Sequence, residues 1–572
     1  MSRTIFIILI LAAVLRVVAL GYGLPMNFVG DEVSITGGAL KMLELKTLIP
    51  AFYPDEFRLM YYPPVIAYIY LIFLVPVLGL MLLFGGSLAD LRQSVVVDPT
   101  AVFVTTRAVT VLFGIATVYL TYLIGNRIFG KVFGMLSATF VASSFLAVQL
   151  SHFARHWMPA TFFTYMVIAL AFFVFFKPER KTYLWTGVIA GIAFGASYIT
   201  AIGIAAFVLA HLLSPKTEKQ QAEPDPVFAA RLGVTKVATE KLLPDNFFKR
   251  LFDKKLWQAG FIFMIIAGVF AWLNYPEFHR IVAGEDSTLS AGKSLTGLVQ
   301  AIWQSVTAFF HYEPILVLAA AGGLIVIFIT HRRLFYLFSI FPLVYWLVLY
   351  FFFHFEPRYN VLLVPWFAIL AALTVKQLWQ INFYYILRIV AVLLVVLPFS
   401  VSGYYNFLLA QGDTRDLART WVEENIPAHS LVYTYSKTFD LLPDRNAIRK
   451  KLTEYPYLVR TRDSVLAGIT EDQYPQPSYN VLNLREMRPE DIEKILQNMN
   501  QEGKVIFIAE YDEESDLTGE VRALLDEATL LKDFSQDPPR TYLEDINGNF
   551  DENIWQIFKI KLTGPNMKIV TF

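Results

Sequence analysis

Asp31 and Glu32 stand side by side directly after Gly30, a few residues beyond the first apolar run, Thr4 to Leu20. A carboxylate held among apolar and aromatic walls has a shifted pKa and can take a proton from a hydroxyl, which is general-base chemistry. An isolated Asp-Glu pair also reads as ordinary loop acids, so its neighbours decide. Tyr61-Tyr62-Pro63-Pro64 brings the chain back to apolar sequence with rings at interface height, suited to anchoring or to sugar stacking. The stretch Ser151 to Trp157 adds His152, Arg155 and His156, and Arg358 lies between Pro357 and Tyr359 at the edge of another apolar run. Arg358 either pairs with Glu356 or grips a phosphate, for which the guanidinium fork is well matched. Arg107 and Arg16 flank two further apolar runs, where their heads can reach the interface, and His311 and Arg280 are weaker candidates. Each charge at a bilayer centre costs about 2.5–3.5 kcal/mol, so several cations gathered around one acid pair point to an anion site. His152 and His156 are four residues apart, as on one helix face, but no third ligand accompanies them. A metal site is therefore not expected.

The elements that would hold these residues are membrane helices. Of the 572 residues 56% are hydrophobic, 15% aromatic and only 17% charged, more apolar surface than a soluble fold of this length can hide. The formal net charge of +0 gives no basic excess for nucleic acid. The absence of cysteine excludes disulfides, thiolate metal sites and cysteine nucleophiles. Arg16 interrupts the first apolar run and no small-residue cleavage site follows it, so a retained helix is expected in place of a signal peptide.

Apolar windows of bilayer length recur at 104–125, 132–150, 158–176, 257–273, 314–330, 334–353, 359–375 and 385–407. The stretch 182–213 is long for one crossing and is broken by Gly191, Gly195, Ser197 and Thr200, which reads as a hairpin of two short helices. The stretch 64–84 is long enough to span, but Pro76 should kink or break it. Basic clusters settle the topology: Arg127/Lys131, Lys177/Arg180/Lys181, the polar stretch 214–255, Arg332/Arg333 and Lys376/Arg388 all fall on the cytoplasmic side if the N-terminus is inside, 182–213 is a hairpin and 64–84 lies along the outer leaflet. The expected fold is a polytopic α-helical membrane protein of about eleven crossings, with a transmembrane domain over 1–410 whose first outer loop is 23–103. The expected location is the cytoplasmic membrane, with residues 411–572 extracytoplasmic.

Beyond residue 407 the composition turns polar. Asp413 or Thr414 can cap a helix whose Leu417, Ala418, Trp421 and Val422 share one face and which stops at Pro427. Short apolar runs at 431–435, 479–482, 505–509, 528–531 and 555–560 alternate with polar helical stretches, an α/β pattern. With no phosphate loop or nucleophile elbow, a rim or recognition role is expected there.

Leu15-Arg16, then Gly30-Asp31-Glu32, then Tyr62-Pro63-Pro64 resemble the opening of the polytopic family C glycosyltransferases, in particular the protein O-mannosyltransferases and lipid A aminoarabinose transferases. Arg107 followed by Tyr122 to Gly130, and Arg358-Tyr359 with Pro365, resemble later helices of the same group. The segment 413–432, with Trp421 and Asn425-Ile426-Pro427, resembles the opening of the outer domain in some members. The resemblance implies an inverting transfer of a monosaccharide from a polyprenyl-phosphate donor to an extracytoplasmic hydroxyl of a glycolipid, polymer or protein. By position Asp31 would be the base, Glu32 its orienting partner, and Arg358 with Arg107 the donor-phosphate ligands. Tyr62, His152, Arg155, His156, Tyr198 and His311 are the candidate substrate contacts. Where many relatives carry an acid this chain has His156-Trp157-Met158, and where many carry a lysine it has Ser197-Tyr198, so neither a metal nor another cofactor is expected. The alternative class is a transporter or flippase, which predicts acids near the bilayer midplane and repeated halves; the apolar runs hold almost no acids and no internal repeat is visible.

Overall fold

The computed structural model describes residues 2–26, 29–57, 60–214, 247–283, 294–352, 356–381, 385–498, 504–512, 514–535 and 554–572. Most of the polar stretch 214–255 and residues His354 and Phe355 lie outside them.

The chain is an integral membrane protein built from helices, with a sheet in its C-terminal part. Among the described residues seven helices are long and apolar enough to cross a membrane, and the bent pair Thr296–Tyr312 and Pro314–Thr330 counts as an eighth if taken as one span. Every expected window holds a helix, several of them short: Arg3–Val17, Lys131–Ser143 and the pair Arg180–Ala196 and Ile202–Leu213. The last two form the expected hairpin, because Tyr183 near the start of one donates or accepts a 2.5 Å hydrogen bond with His211 near the end of the other.

Of the kink or break expected at Pro76 there is no break, and Val65–Gly85 runs through it without interruption. Neighbouring turns of a long apolar helix keep their bonds around one proline. Both ends of this helix nevertheless lie on the side of the sheet-bearing part. It starts after Tyr62, which reaches Asp31, and it is followed by helix Leu88–Val97, whose Val96 and Val97 pack on Ile448, Leu466 and Ile469.

The C-terminal sheet has the order β2-β1-β3-β5-β4, with β1 Leu431–Tyr435, β2 Asn480–Asn483, β3 Ile506–Tyr511, β4 Thr529–Asp533 and β5 Asn566–Thr571. The first three are mutually parallel and β5 runs antiparallel between β3 and β4. Four of the five expected runs are strands, but 555–560 is part of a 3₁₀ segment, Ile554–Lys559, which buries Ile554 and Ile557 at its three-residue period. The fifth strand is instead Asn566–Thr571, just after Gly564-Pro565.

Helix Thr414–Asn425 is capped by Asp413, whose carboxylate accepts from the Arg415 N–H at 2.9 Å. The same buried carboxylate accepts from the guanidinium of Arg415 at 2.7 and 3.0 Å and from the Tyr22 hydroxyl at 2.7 Å. Tyr22 follows the first membrane helix, and Met26 packs with Ala418, Val422 and Ile508, so the first loop is pinned to the sheet-bearing part. A hydrogen bond to a buried charge contributes about 1.5–3 kcal/mol. Tyr22→Phe is therefore expected to lower the thermal midpoint of the purified protein, and an unchanged midpoint would remove this bond as an anchor.

Candidate active site

The two acids occupy the first turn of helix Gly30–Glu44 and not an irregular part of the outer loop. The start of a helix favours negative charge, and acids in a first turn are a usual start signal. Adjacent residues on a helix point in different directions, and this separates their surroundings completely.

Glu32 points into the protein and is fully buried. Its two oxygens accept from Arg107 Nε at 2.8 Å and Nη2 at 2.7 Å, a bidentate fork, and Oε1 also accepts from the Ala154 N–H at 2.5 Å. Arg107, 1% exposed, spends its remaining nitrogen on the carbonyls of Leu20 and Tyr22, at 2.8 and 2.7 Å. The expectation that Arg107 binds a donor phosphate is thus corrected: each of its nitrogens is already bonded inside the protein. Glu32 is likewise spent on holding Arg107 and the 151–157 loop, which leaves it no proton-taking position.

Asp31 points the other way and keeps about a quarter of its side chain accessible. Its Oδ2 forms an ion pair with Arg155, lies 3.7 Å from Arg358 Nη1, and accepts from the Tyr62 hydroxyl at 3.3 Å. Burial works to raise the Asp31 carboxyl, but the guanidiniums of Arg155 and Arg358 outweigh it and hold the group below its ordinary value. Arg358 also pairs with Glu356, the first of its two readings. The His156 ring lies 4.0 Å from that of Tyr62. Burial, and after it the charge of Arg155, push its imidazole well below the usual range.

Asp31, Arg155, Arg358, Tyr62 and His156 thus converge. The other candidates do not. His152 is a strut, its ring nitrogens 2.8 Å from the Val148 carbonyl and 2.9 Å from that of Val18. Being in a loop and not on a helix, it does not share a face with His156. Tyr198 packs its ring on Phe194 and Phe278, at 5.1 and 5.6 Å. His311 sits in the last turn of helix Leu295–Tyr312, before the bend at Glu313. Arg16, expected to reach the interface, is instead fully buried, donating to the carbonyls of Val141 and Ala142 at 2.9 and 3.0 Å at the C-terminus of helix Lys131–Ser143. Gly114 makes room for it: a Cβ there would come within 3.0 Å of Arg16 Nε and 2.6 Å of Ser151 Oγ.

Two residues that carry the site were missed. Buried Glu313 accepts from Ser144 Oγ at 2.6 Å and from the Leu146 N–H at 2.9 Å, fixing the start of the short helix Phe145–Gln149 that leads into the 151–157 loop. Its signal was an acid just before Pro314 between two apolar runs. Trp157 stacks between His156 and Tyr359, at 4.2 and 4.6 Å. Among the described residues no three His, Asp or Glu side chains cluster as a metal site would require.

Fold and site define the class: a polytopic helical membrane protein with a partly accessible carboxylate ringed by arginines and aromatic groups, beside a sheet-bearing C-terminal part. Residues 100–239 match the family model described as dolichyl-phosphate-mannose-protein mannosyltransferase, and the resemblance to membrane glycosyltransferases of this kind holds over that stretch. No curated protein matches the chain. Among solved structures, ArnT from Cupriavidus metallidurans bound to undecaprenyl phosphate is 14% identical, with 100% of this chain and 98% of that one covered and a TM-score of 0.44. Apo ArnT gives 12% identity, 99% and 97% coverage and 0.43. The Archaeoglobus fulgidus oligosaccharyltransferase in complex with Zn and sulfate gives 14% identity and 0.42 over 75% of this chain, which spans 60% of that protein's length.

Proposed function

We infer that this protein is an inverting glycosyltransferase that moves a monosaccharide from a polyprenyl-phosphate carrier to an acceptor hydroxyl, in a glycolipid, polymer or protein, on the outer face of the cytoplasmic membrane. One observation carries the reading: a single oxygen of the accessible Asp31 carboxylate faces both Arg155 and Arg358. Asp31 takes the acceptor proton as the acceptor oxygen attacks the anomeric carbon from the side opposite the phosphate. The carbon–oxygen bond to the phosphate breaks and its electron pair leaves with the phosphate, whose charge Arg358 and Arg155 receive. Tyr62 and His156 wall the sugar. Arg107 and Glu32 position the loop that carries Arg155, and residues 1–410 and 411–572 act as catalytic and rim domains, the latter extracytoplasmic. The family match over 100–239 supports this class of reaction. A transfer assay with a panel of radiolabelled polyprenyl-phosphate sugars in proteoliposomes tests it. Labelled glycoconjugate is expected; lipid-linked label that changes leaflet without covalent transfer would make the protein a transporter.

The same geometry dictates a pH signature. Arginines that hold the free Asp31 carboxyl low also make it a weak base. A bound phosphate draws on the same guanidiniums, so Asp31 rises when the donor is present. A base works in its ionised form, so activity is lost as pH falls through its pKa. The acid limb of kcat, which reports the complex, should therefore lie at higher pH than that of kcat/KM for the donor, which reports the free enzyme. Superimposable limbs would contradict the shared use of Arg155 and Arg358.

A further inference from the structure

Four rings run in unbroken series past the Asp31 carboxylate: Tyr62 against His156 with centroids 4.0 Å apart, His156 against Trp157 at 4.2 Å, and Trp157 against Tyr359 at 4.6 Å. The guanidinium carbon of Arg358 lies 5.9 Å from the Trp157 ring centre. Trp157 is 3% exposed and His156 is 2% exposed. Even so, the indole Nε1 and the imidazole Nδ1 have no hydrogen-bond partner among the described residues. A buried N–H left without an acceptor costs about 1–3 kcal/mol, and native folds hold few such groups, each with a reason. Packing does not supply one here, because a phenylalanine ring would stack between His156 and Tyr359 without the polar atom.

We propose that Trp157, with His156 beside it, completes the anion subsite, its indole N–H donating to a phosphate oxygen of the lipid-linked donor held between Arg155 and Arg358. This rests on the glycosyltransferase reading and extends it to a residue outside the acid and arginine set. An indole N–H and a guanidinium are donors only, so the neighbouring Arg358 cannot supply the missing acceptor, and an anionic ligand can. An anionic oxygen suits best, because hydrogen bonds to anions are roughly twice as strong as neutral ones. Before the donor binds, the indole face holds the Arg358 guanidinium by cation–π attraction.

The test is Trp157→Phe, which keeps the ring and removes the donor. The probe is polyprenyl phosphate without sugar, titrated against the detergent-solubilised full chain, with thermal melts measured in its absence. The variant is expected to bind the lipid phosphate roughly 10- to 100-fold more weakly, while its ligand-free melt stays cooperative. Unchanged affinity overturns the proposal. So does loss of a cooperative ligand-free melt, which would mean that the indole serves the fold. Wild-type protein that fails to bind the lipid phosphate at all overturns the glycosyltransferase reading itself, a result separate from either outcome in the variant.

Discussion

Asp31→Asn is expected to lower kcat roughly 10²- to 10⁴-fold, the usual contribution of a positioned general base. The substitution is isosteric, so the hydrogen bond from Tyr62 at 3.3 Å has an oxygen to go to and the helix start is kept. What disappears is the charge facing Arg155 and Arg358. Without that charge the two guanidiniums are more available to an anionic donor, so KM for the lipid-linked sugar should stay level or fall while kcat collapses. This pattern marks loss of a group that acts only in the transition state. It separates a base from a ligand-binding acid, whose removal would raise KM instead. Radiolabel transfer from polyprenyl-phosphate sugar, with full saturation curves for variant and wild type, is the measurement. A folded variant that turns over at the wild-type rate removes Asp31 from the chemistry.

Much of this site was legible in residue types and order. Asp31 was picked out as a base, Tyr62 as a ring for a sugar, and Arg155, His156 and Arg358 as cationic or titratable groups around the acid pair, and they meet in space. The partition of the roles among them was not legible. Asp31 and Glu32 are neighbours in sequence, and only the 100° turn between successive helical residues sends one to Arg155 and Arg358 and the other to Arg107. Arg107, Arg16 and His152 looked like Arg358, since all are polar groups at the edges of apolar runs. Their bonds to backbone carbonyls 85 to 134 residues away in sequence depend on packing that no local pattern encodes. The omission of Trp157 has the same origin: it was named only as a member of the 151–157 stretch, because a sequence shows the ring but not whether its N–H finds an acceptor. In the C-terminal part periodicity located four strands of the sheet. It failed at 555–560, where an apolar run of strand length packs on the last membrane helix by a period of three, through Tyr404 donating to Ile560 at 2.7 Å.

Arg107→Met and Glu32→Gln are each expected to destabilise the protein by about 3–5 kcal/mol, because either change leaves the other half of a fully buried ion pair without its counter-charge. The double variant Glu32→Leu with Arg107→Met separates two consequences of that pair. An apolar replacement of both partners removes the uncompensated charge and is often neutral or better, so the thermal midpoint should recover most of the loss, and a double-mutant cycle should show strong coupling. Activity should not recover with it. Glu32 also accepts from the Ala154 N–H, the residue before Arg155, and a leucine offers no acceptor there. The loop would then present Arg155 less rigidly to Asp31 and to the donor phosphate. Circular dichroism melts alongside transfer assays on the three variants give both readings. Should activity return together with stability, the Glu32–Arg107 pair is a structural clamp alone, and the placement of Arg155 must be secured by the contacts on its other side, through Ser144 and Glu313.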